Sequence, residues 1–350
     1  MANEIITAQY DVNDFTTAVD LIRKAQRDLY YVANTTLIDL YWNLGKHISE
    51  RVAAAGWGKS TVKELAIFIS ENEPNVRGFS ASNLWRMRQF YETYCTNEKL
   101  ATLVREIGWS NNLVIMSQAK SEEEKAFYIQ LCISERLKHR ELKRQIASCL
   151  YERTVLSKPK LATVLREIAP QAERIFRDTY VMEFITGEEA KPENSLRKAM
   201  LRKMKKLILE LGKDFLAIDE EFCVQVGNHD YRIDLLFYHR RLQCLCAFEL
   251  KTEEFKPEHL GKLNFYLEAL DRDVKYDNEN PSIGILLCKS KDNEVVEYAM
   301  SRSLSPTLVA QYELMLPDKK LLQQRVHEIY EESLDLIERG EENQDLTTGL

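Results

Sequence analysis

Proline and glycine are scarce in this sequence, 8 and 12 of 350 residues, which excludes a fibrous repeat and a largely disordered chain. No apolar run approaches the roughly 18 residues of a membrane span, so no membrane helix is expected. Between Met1 and Asp14 there is no basic patch followed by an apolar stretch. No secretory signal is visible, and a cytoplasmic location is expected. The seven cysteines (Cys95, Cys132, Cys149, Cys223, Cys244, Cys246 and Cys288) contain no CxxC pair and no ligand-like spacing with the six histidines. They read as buried thiols rather than a structural zinc site. What is plentiful is ordinary core material: 45% hydrophobic and 29% charged residues, over a length that suggests two domains.

The acidity is concentrated. Between Glu328 and Leu350 eight acids stand against one base, which accounts for the whole net charge of −7. The remainder is neutral, so the overall charge does not exclude a polyanionic partner.

Periodicity divides the chain. From Asp14 to about Tyr151, Val19, Leu21, Ile22, Ala25, Leu29, Val32 and Ala33 recur mostly three and four apart, and Leu37, Leu40, Tyr41 and Leu44 continue the stripe. Gly56-Trp57-Gly58 breaks it. A helix from Thr61, with Glu64 completing a capping box, should end before Pro74. Ser80 then caps a second helix, Ala81 to Tyr94, with Leu84, Met87, Phe90 and Tyr91 on one face and Arg86 and Arg88 off it. The pair has the outline of a helix-turn-helix, in which Arg86 and Arg88 would meet DNA. A plain solvated face has the same pattern.

Three prolines interrupt residues 152–194, read as a partly helical connector. A basic helix follows, Ser195 to Leu211, with Arg197, Lys198, Arg202, Lys203, Lys205 and Lys206, stopped by Gly212. The period then falls to two. Ala217 to Val226, Tyr231 to Tyr238 and Leu242 to Leu250 read as three strands of a meander. A helix from Pro257 to about Leu270 comes next, then a doubly buried strand, Ile283 to Cys288. A short helix (Glu294 to Met300), a strand (Thr307 to Tyr312) and a terminal helix (Lys319 to Ile337) complete it. The fold class is α+β: an all-α domain over 14–151, then a mixed sheet with helices over 195–338, then an acidic tail over 339–350.

Charged residues interrupt the strands. Asp234 sits between Ile233 and Leu235-Leu236-Phe237, and Glu249 and Lys251 end the strand Leu245-Cys246-Ala247-Phe248. Their two-residue spacing puts Glu249 and Lys251 on one side of the sheet. Removing a carboxylate from water costs several kcal/mol, on the order that only a partner charge or a metal offsets. Two carboxylates on neighbouring strands repel, and one lysine does not obviously neutralise both, whereas a divalent cation would. A simple ion pair at a strand end is the competing reading.

The D…ExK pattern on adjacent meander strands resembles the core of the PD-(D/E)xK nuclease superfamily, and the chain is similar to its YhcG-like family. The resemblance runs through Leu209-Glu210-Leu211-Gly212, Ile233 to Leu242, Phe248 to Lys251, Gly261 to Leu267 and Pro281 to Lys289. In the helical half it runs through Leu40-Tyr41-Trp42, Gly78-Phe79-Ser80, Asn83-Leu84, Met87-Arg88 and Arg140-Glu141-Leu142. It implies a restriction-endonuclease-like second domain. It also implies that Asp234 and Glu249 hold Mg²⁺ (Mn²⁺ as a substitute), with the Leu250 carbonyl as a further ligand and Lys251 beside the scissile phosphate. Glu210 would approach the metal or remain an exposed helix acid. Arg202, Lys206 and Lys262 would contact nucleic acid, and Tyr266 would support the cleft. The chain departs from the family pattern at Lys262, where glutamine is as readily expected, at Asn111, where histidine is, and at Glu221, where glutamine is. The resemblance further implies a nucleic-acid substrate, DNA before RNA although the sequence does not decide between them, with a role in DNA processing or mobile-element defence. Protein partners or a homo-oligomer would form through the helical domain. A nuclease fold turned into a silent DNA-binding scaffold, and a helix-turn-helix repressor, are the competing functions.

Overall fold

The computed structural model describes residues 12–54, 58–190 and 192–328. The chain forms two compact units, residues 1–143 and 144–350. The first is helical: α1 (Val12–Ala53), α2 (Lys59–Asn72), α3 (Ala81–Tyr94), α4 (Glu98–Leu103), α5 (Trp109–Gln118), α6 (Glu122–Glu135) and α7 (His139–Ala147), which runs across the boundary. The stripe from Val19 to Leu44 belongs to one helix, α1. Gly45 does not break it, because the glycine serves a close approach: a Cβ there would run into the Met87 carbonyl of α3. Ile38 and Ile48 of α1 bury against this region with Leu84, Met87 and Phe90 of α3. Trp42 meets Phe90 edge-on at 5.7 Å, and Phe90 meets Trp109 at 5.3 Å. The Ser80 hydroxyl accepts from the Asn83 N–H at 3.3 Å and starts α3. α2 starts at Lys59 behind Gly58, two residues before the expected Thr61. Gly56 and Trp57 lie outside the described residues.

The second unit contains α8 (Leu150–Leu156), β1 (Lys160–Leu161), α9 (Thr163–Ile168), α10 (Ala172–Ile175), β2 (Thr179–Val181), α11 (Glu193–Arg202), α12 (Met204–Leu211), β3 (Phe215–Val226), β4 (His229–His239), β5 (Cys244–Glu254), α13 (His259–Asp273), β6 (Ile283–Ser290), α14 (Asn293–Met300) and β7 (Thr307–Glu313). The sheet runs β1-β7-β6-β5-β4-β3, with β2 also on β7. β3, β4 and β5 are antiparallel, whereas β5, β6 and β7 are parallel. This is the expected mixed sheet. Two expectations need correction. Residues 152–194 are no separate connector, since β1 and β2 both pair with β7; strands of two and three residues leave no periodic signal. The helix expected over Ser195–Leu211 is two helices, broken at Lys203.

Alternate strand residues feed two cores. Leu235, Phe237, Cys246, Phe248 and Leu250 join α11 and α12 through Leu196, Met200, Leu207 and Leu211. Leu236, Leu245, Ala247 and Leu286 join α13 through Leu260, Leu263, Leu267 and Leu270. Residues 319–328 are helical; the rest of the expected terminal helix and the acidic tail 339–350 lie outside the described residues. Among the described residues no helix is long and apolar enough to cross a membrane.

Candidate active site

Strand alternation puts Glu249 in line with Leu245 and Ala247, and Asp234 in line with Leu236, so both carboxylates belong to the sheet face that α13 covers. The β4–β5 ladder pairs Leu235 with Phe248, which brings the two acids side by side one step further on. The Leu250 N–H donates to Asp234 Oδ2 at 2.8 Å. The C=O of a strand residue projects to the same side as its N–H, so the Leu250 carbonyl also faces the β4 side. Lys251 lies inside β5, which continues to Glu254 rather than ending at Leu250.

The charges interlock. Glu249 is fully buried, and its Oε1 accepts from Lys251 at 3.1 Å and from Lys262 of α13 at 2.8 Å. Lys251 also donates to Glu193, at the start of α11, at 3.2 Å. Arg197, one turn along α11, reaches Asp234 at 3.4 Å and Glu221 at 2.9 Å, and donates to Asn194 at 3.0 Å. Glu221 holds the left-handed φ of 50°, which a non-glycine residue adopts only at a cost of about 1–2 kcal/mol. Burial pulls the Lys251 ammonium down, but Glu249 and Glu193 outweigh it, and its pKa is raised. Lys262 is raised in the same way, burial being overcome by the hydrogen bond its ammonium donates to Glu249. Tyr266, under Lys262 with the ammonium 5.3 Å from its ring, donates its hydroxyl to the Arg232 carbonyl at 2.6 Å.

Two buried atoms in this cluster have no hydrogen-bond partner among the described residues, Arg197 Nε and one oxygen of Glu249. Glu249 Oε2 is buried and meets no hydrogen-bond donor among the described residues. An orphaned anionic oxygen in a low-dielectric site costs at least about 1–3 kcal/mol. Two adjacent carboxylates with a backbone carbonyl at their side form the hard-oxygen set that suits Mg²⁺. The residues therefore fit a divalent ion, although among the described residues no three His, Cys, Asp or Glu side chains converge on one point. Protein ligands would come from Asp234, Glu249 and the Leu250 carbonyl, and magnesium normally keeps several waters besides.

Glu210 is placed elsewhere. It is neither at the carboxylate pair nor exposed, as the two sequence readings had it. Its fully buried carboxylate is held by Arg144 at 2.9 Å, Arg177 at 3.1 Å, Arg153 at 3.3 Å and the Val181 N–H at 2.8 Å. α12 packs Leu207 and Leu211 into the core of Phe237 and Phe248, the opposite face from Glu249. Desolvation raises the Glu210 pKa, but the three arginines prevail and the net shift is downward.

The nucleic-acid candidates are scattered. Arg86 is exposed on α3, whereas Arg88 pairs with Glu92 at 2.7 Å and stacks on Trp85. Arg202 pairs with Glu189 at 3.0 Å, and Lys206 is exposed near the Phe184 ring. Of these only Lys262 reaches the carboxylates. Asn111 is buried in the first unit, donating to the Leu137 carbonyl at 2.8 Å. Sequence reasoning missed Glu193 as a neighbour of Lys251 and read Arg197 only as one base of a basic helix. Their signal was the four-residue spacing that aligns them on one face of α11.

An acid and an E-x-K triplet on neighbouring strands of a mixed sheet, beneath a helix, define a nuclease-type domain, and residues 173–327 match the YhcG PDDEXK nuclease domain. Residues 17–153 match the DUF1016 N-terminal domain. The chain thus belongs to the YhcG-like family of the PD-(D/E)xK nuclease superfamily, with a restriction-endonuclease-like second unit. A relative, YhcG of Escherichia coli (strain K12), is 28% identical over 341 residues, 87% of this chain and 90% of its own length. Similarity to solved structures is looser. A repair endonuclease from Pyrococcus abyssi matches at 15% identity and a TM-score of 0.25, over 36% of this chain and 49% of its own. An EndoMS–dsDNA complex matches at 17% and 0.22, over 34% and 46%. The matches span about half of those chains.

Proposed function

We propose that the chain is a divalent-metal-dependent nuclease that hydrolyses phosphodiester bonds in DNA, with Asp234, Glu249 and Lys251 at its centre. The observation that carries the reading is the buried Glu249 oxygen left without a donor beside Asp234 and Lys251. A divalent ion on the two carboxylates supplies Lewis-acid polarisation of the scissile phosphate. The protein's own groups do the positioning. Asp234 is fixed by the Leu250 N–H and Arg197, so its oxygens cannot swing away from β5. Lys251, tied to Glu249 and Glu193, holds a positive charge where negative charge develops on the phosphate. Lys262, half exposed at the edge of the same carboxylate, is free at its outer side to meet a neighbouring phosphate oxygen. Exposed Arg86 and Lys206, with Arg202 and the partly paired Arg88, add contacts to the phosphate backbone without reading sequence. Membership of a nuclease family supports the reaction class.

The test is cleavage of plasmid and single-stranded DNA with Mg²⁺ or Mn²⁺, alongside calorimetric Mn²⁺ titration without substrate. Asp234→Ala should abolish both cutting and metal binding. Lys251→Ala should keep the metal and lose about 10²–10³-fold in rate. Equal residual cutting by wild type and both variants would mean a contaminant and defeat the proposal. DNA binding by a wild type that neither cuts nor takes up metal would make the domain a scaffold.

A further inference from the structure

We propose that a cavity between α2 and α3 seats an unpaired nucleotide of a single-stranded nucleic acid, its base on Trp85 and its phosphates on Lys59 and Lys63. The site rests on the nuclease reading for its ligand being nucleic acid, and it adds the strandedness of that ligand. It lies wholly within the helical unit.

The cavity has a volume of about 440 Å³ and is lined by Lys59, Lys63, Ala81, Ser82, Trp85 and Arg88. Three basic side chains and a tryptophan line it, and no acid does. Lys59 and Lys63 stand one turn apart on α2, so both ammonium groups rise from one face of that helix. Both are exposed, and neither enters an ion pair among the described residues. Like charges at that spacing repel, and a polyanion laid across them removes the repulsion.

Trp85 is used differently from its neighbours. Trp42 and Trp109 are built into the aromatic core of this unit, against Phe90, Tyr91 and Tyr41. Trp85 meets no other aromatic ring among the described residues and carries the Arg88 guanidinium 5.1 Å from its centre. Hydrogen bonds fix that arrangement. The Ser49 hydroxyl and the Arg88 Nε–H both donate to Glu92 Oε1 at 2.7 Å. A ring and a guanidinium held in place beforehand lose little freedom when a base stacks on them.

The combination selects the ligand. Phosphates answer the lysines, and the face of a base answers the indole and the guanidinium plane. In a duplex both faces of each base are covered by its neighbours, so only an unstacked base reaches Trp85. An acidic peptide would satisfy the lysines and leave the indole unused. Arg86, the residue expected at a major groove, does not line the cavity.

Fluorescence anisotropy of the full chain tests this, with labelled oligothymidylate and oligouridylate of about 12 nucleotides and a DNA duplex of equal length as probes. EDTA is present throughout, so nothing is cut, and the tighter of the two single strands identifies the sugar. Trp85→Ala should weaken single-strand binding by about 5- to 100-fold and duplex binding by less than about twofold. Trp85→Phe should keep most of the single-strand affinity. Lys59→Gln combined with Lys63→Gln should reduce the slope of log affinity against log salt by about 1.4 on the single strand. Those two lysines are exposed, so their variant reports on the site even if Trp85→Ala perturbs folding. A folded Trp85→Ala variant with unchanged single-strand binding, an equal loss on the duplex, or an unchanged salt slope in the lysine variant would overturn the proposal. With no divalent ion present, a chain that never cuts can meet these expectations and a chain that cuts can fail them, so this site and the nuclease reading fall separately.

Discussion

Replacing Glu210 by alanine separates a structural role from a catalytic one. The carboxylate holds three guanidinium groups and one backbone N–H in a fully buried position. Truncation leaves those cations with partial substitutes. Arg144 keeps Glu183 at 2.9 Å and the Val181 carbonyl at 3.0 Å, and Arg153 keeps the Ser148 and Thr179 carbonyls at 2.8 and 2.7 Å. No carboxylate then remains to unite the cage. Breaking a buried ion pair from one side costs about 3–5 kcal/mol. For a unit of this size that lowers the melting temperature by about 6–20 °C. Calorimetry should find the loss in the transition of the second unit. Below that transition, cleavage and Mn²⁺ affinity should stay near wild type. Glu210→Ala with unchanged melting but no cleavage would refute the reasoning and return Glu210 to the catalytic centre. The sign with pH follows from the depressed pKa: this stabilisation is present above the unfolded-state value and is lost as pH falls through the folded one.

Two further perturbations read the packing. His239 is buried against Phe215 at 4.7 Å, with Nδ1 accepting from the Leu242 N–H at 3.2 Å, and burial lowers its pKa to about 4. The unfolded chain binds that proton first, so stability should fall by up to about 3 kcal/mol between pH 6.5 and 4, and urea titrations of His239→Gln should show a flatter profile there. Gly45→Ala should destabilise the helical unit by about 1–3 kcal/mol, because backbone of α3 rather than a flexible side chain blocks the new methyl; thermal melts that match wild type would contradict the close approach of α1 and α3.

Legibility from sequence followed the physics of each segment. The meander was readable because its strands alternate and its turns carry Gly227-Asn228 and His239-Arg240-Arg241. Asp234, Glu249 and Lys251 stood out because charge inside an apolar strand demands a reason. The start of α3 was written in Ser80 and its length in the Leu84-Met87-Phe90 spacing. Other features had no local signature. β1 and β2 are too short for any period and exist because β7 offers them an edge. Arg197 looks like its solvated neighbours Lys198 and Arg202, and only the approach of α11 to β3 and β4 turns it toward Asp234 and Glu221. The arginines around Glu210 come from positions 144, 153 and 177, and no sequence window joins them.

β5 has an antiparallel neighbour on one side and a parallel one on the other, and this protects the chemistry from drift. A slip by one residue would turn Glu249 and Lys251 toward Leu207 and Leu211, and swing Phe248 and Leu250 toward the cleft. Both ladders would have to break together for that to happen. Length changes are thus tolerable in the bend between His239 and Cys244 only if they leave both seams untouched, so the strand's two unlike neighbours act as a ratchet that keeps acid and amine facing the same way.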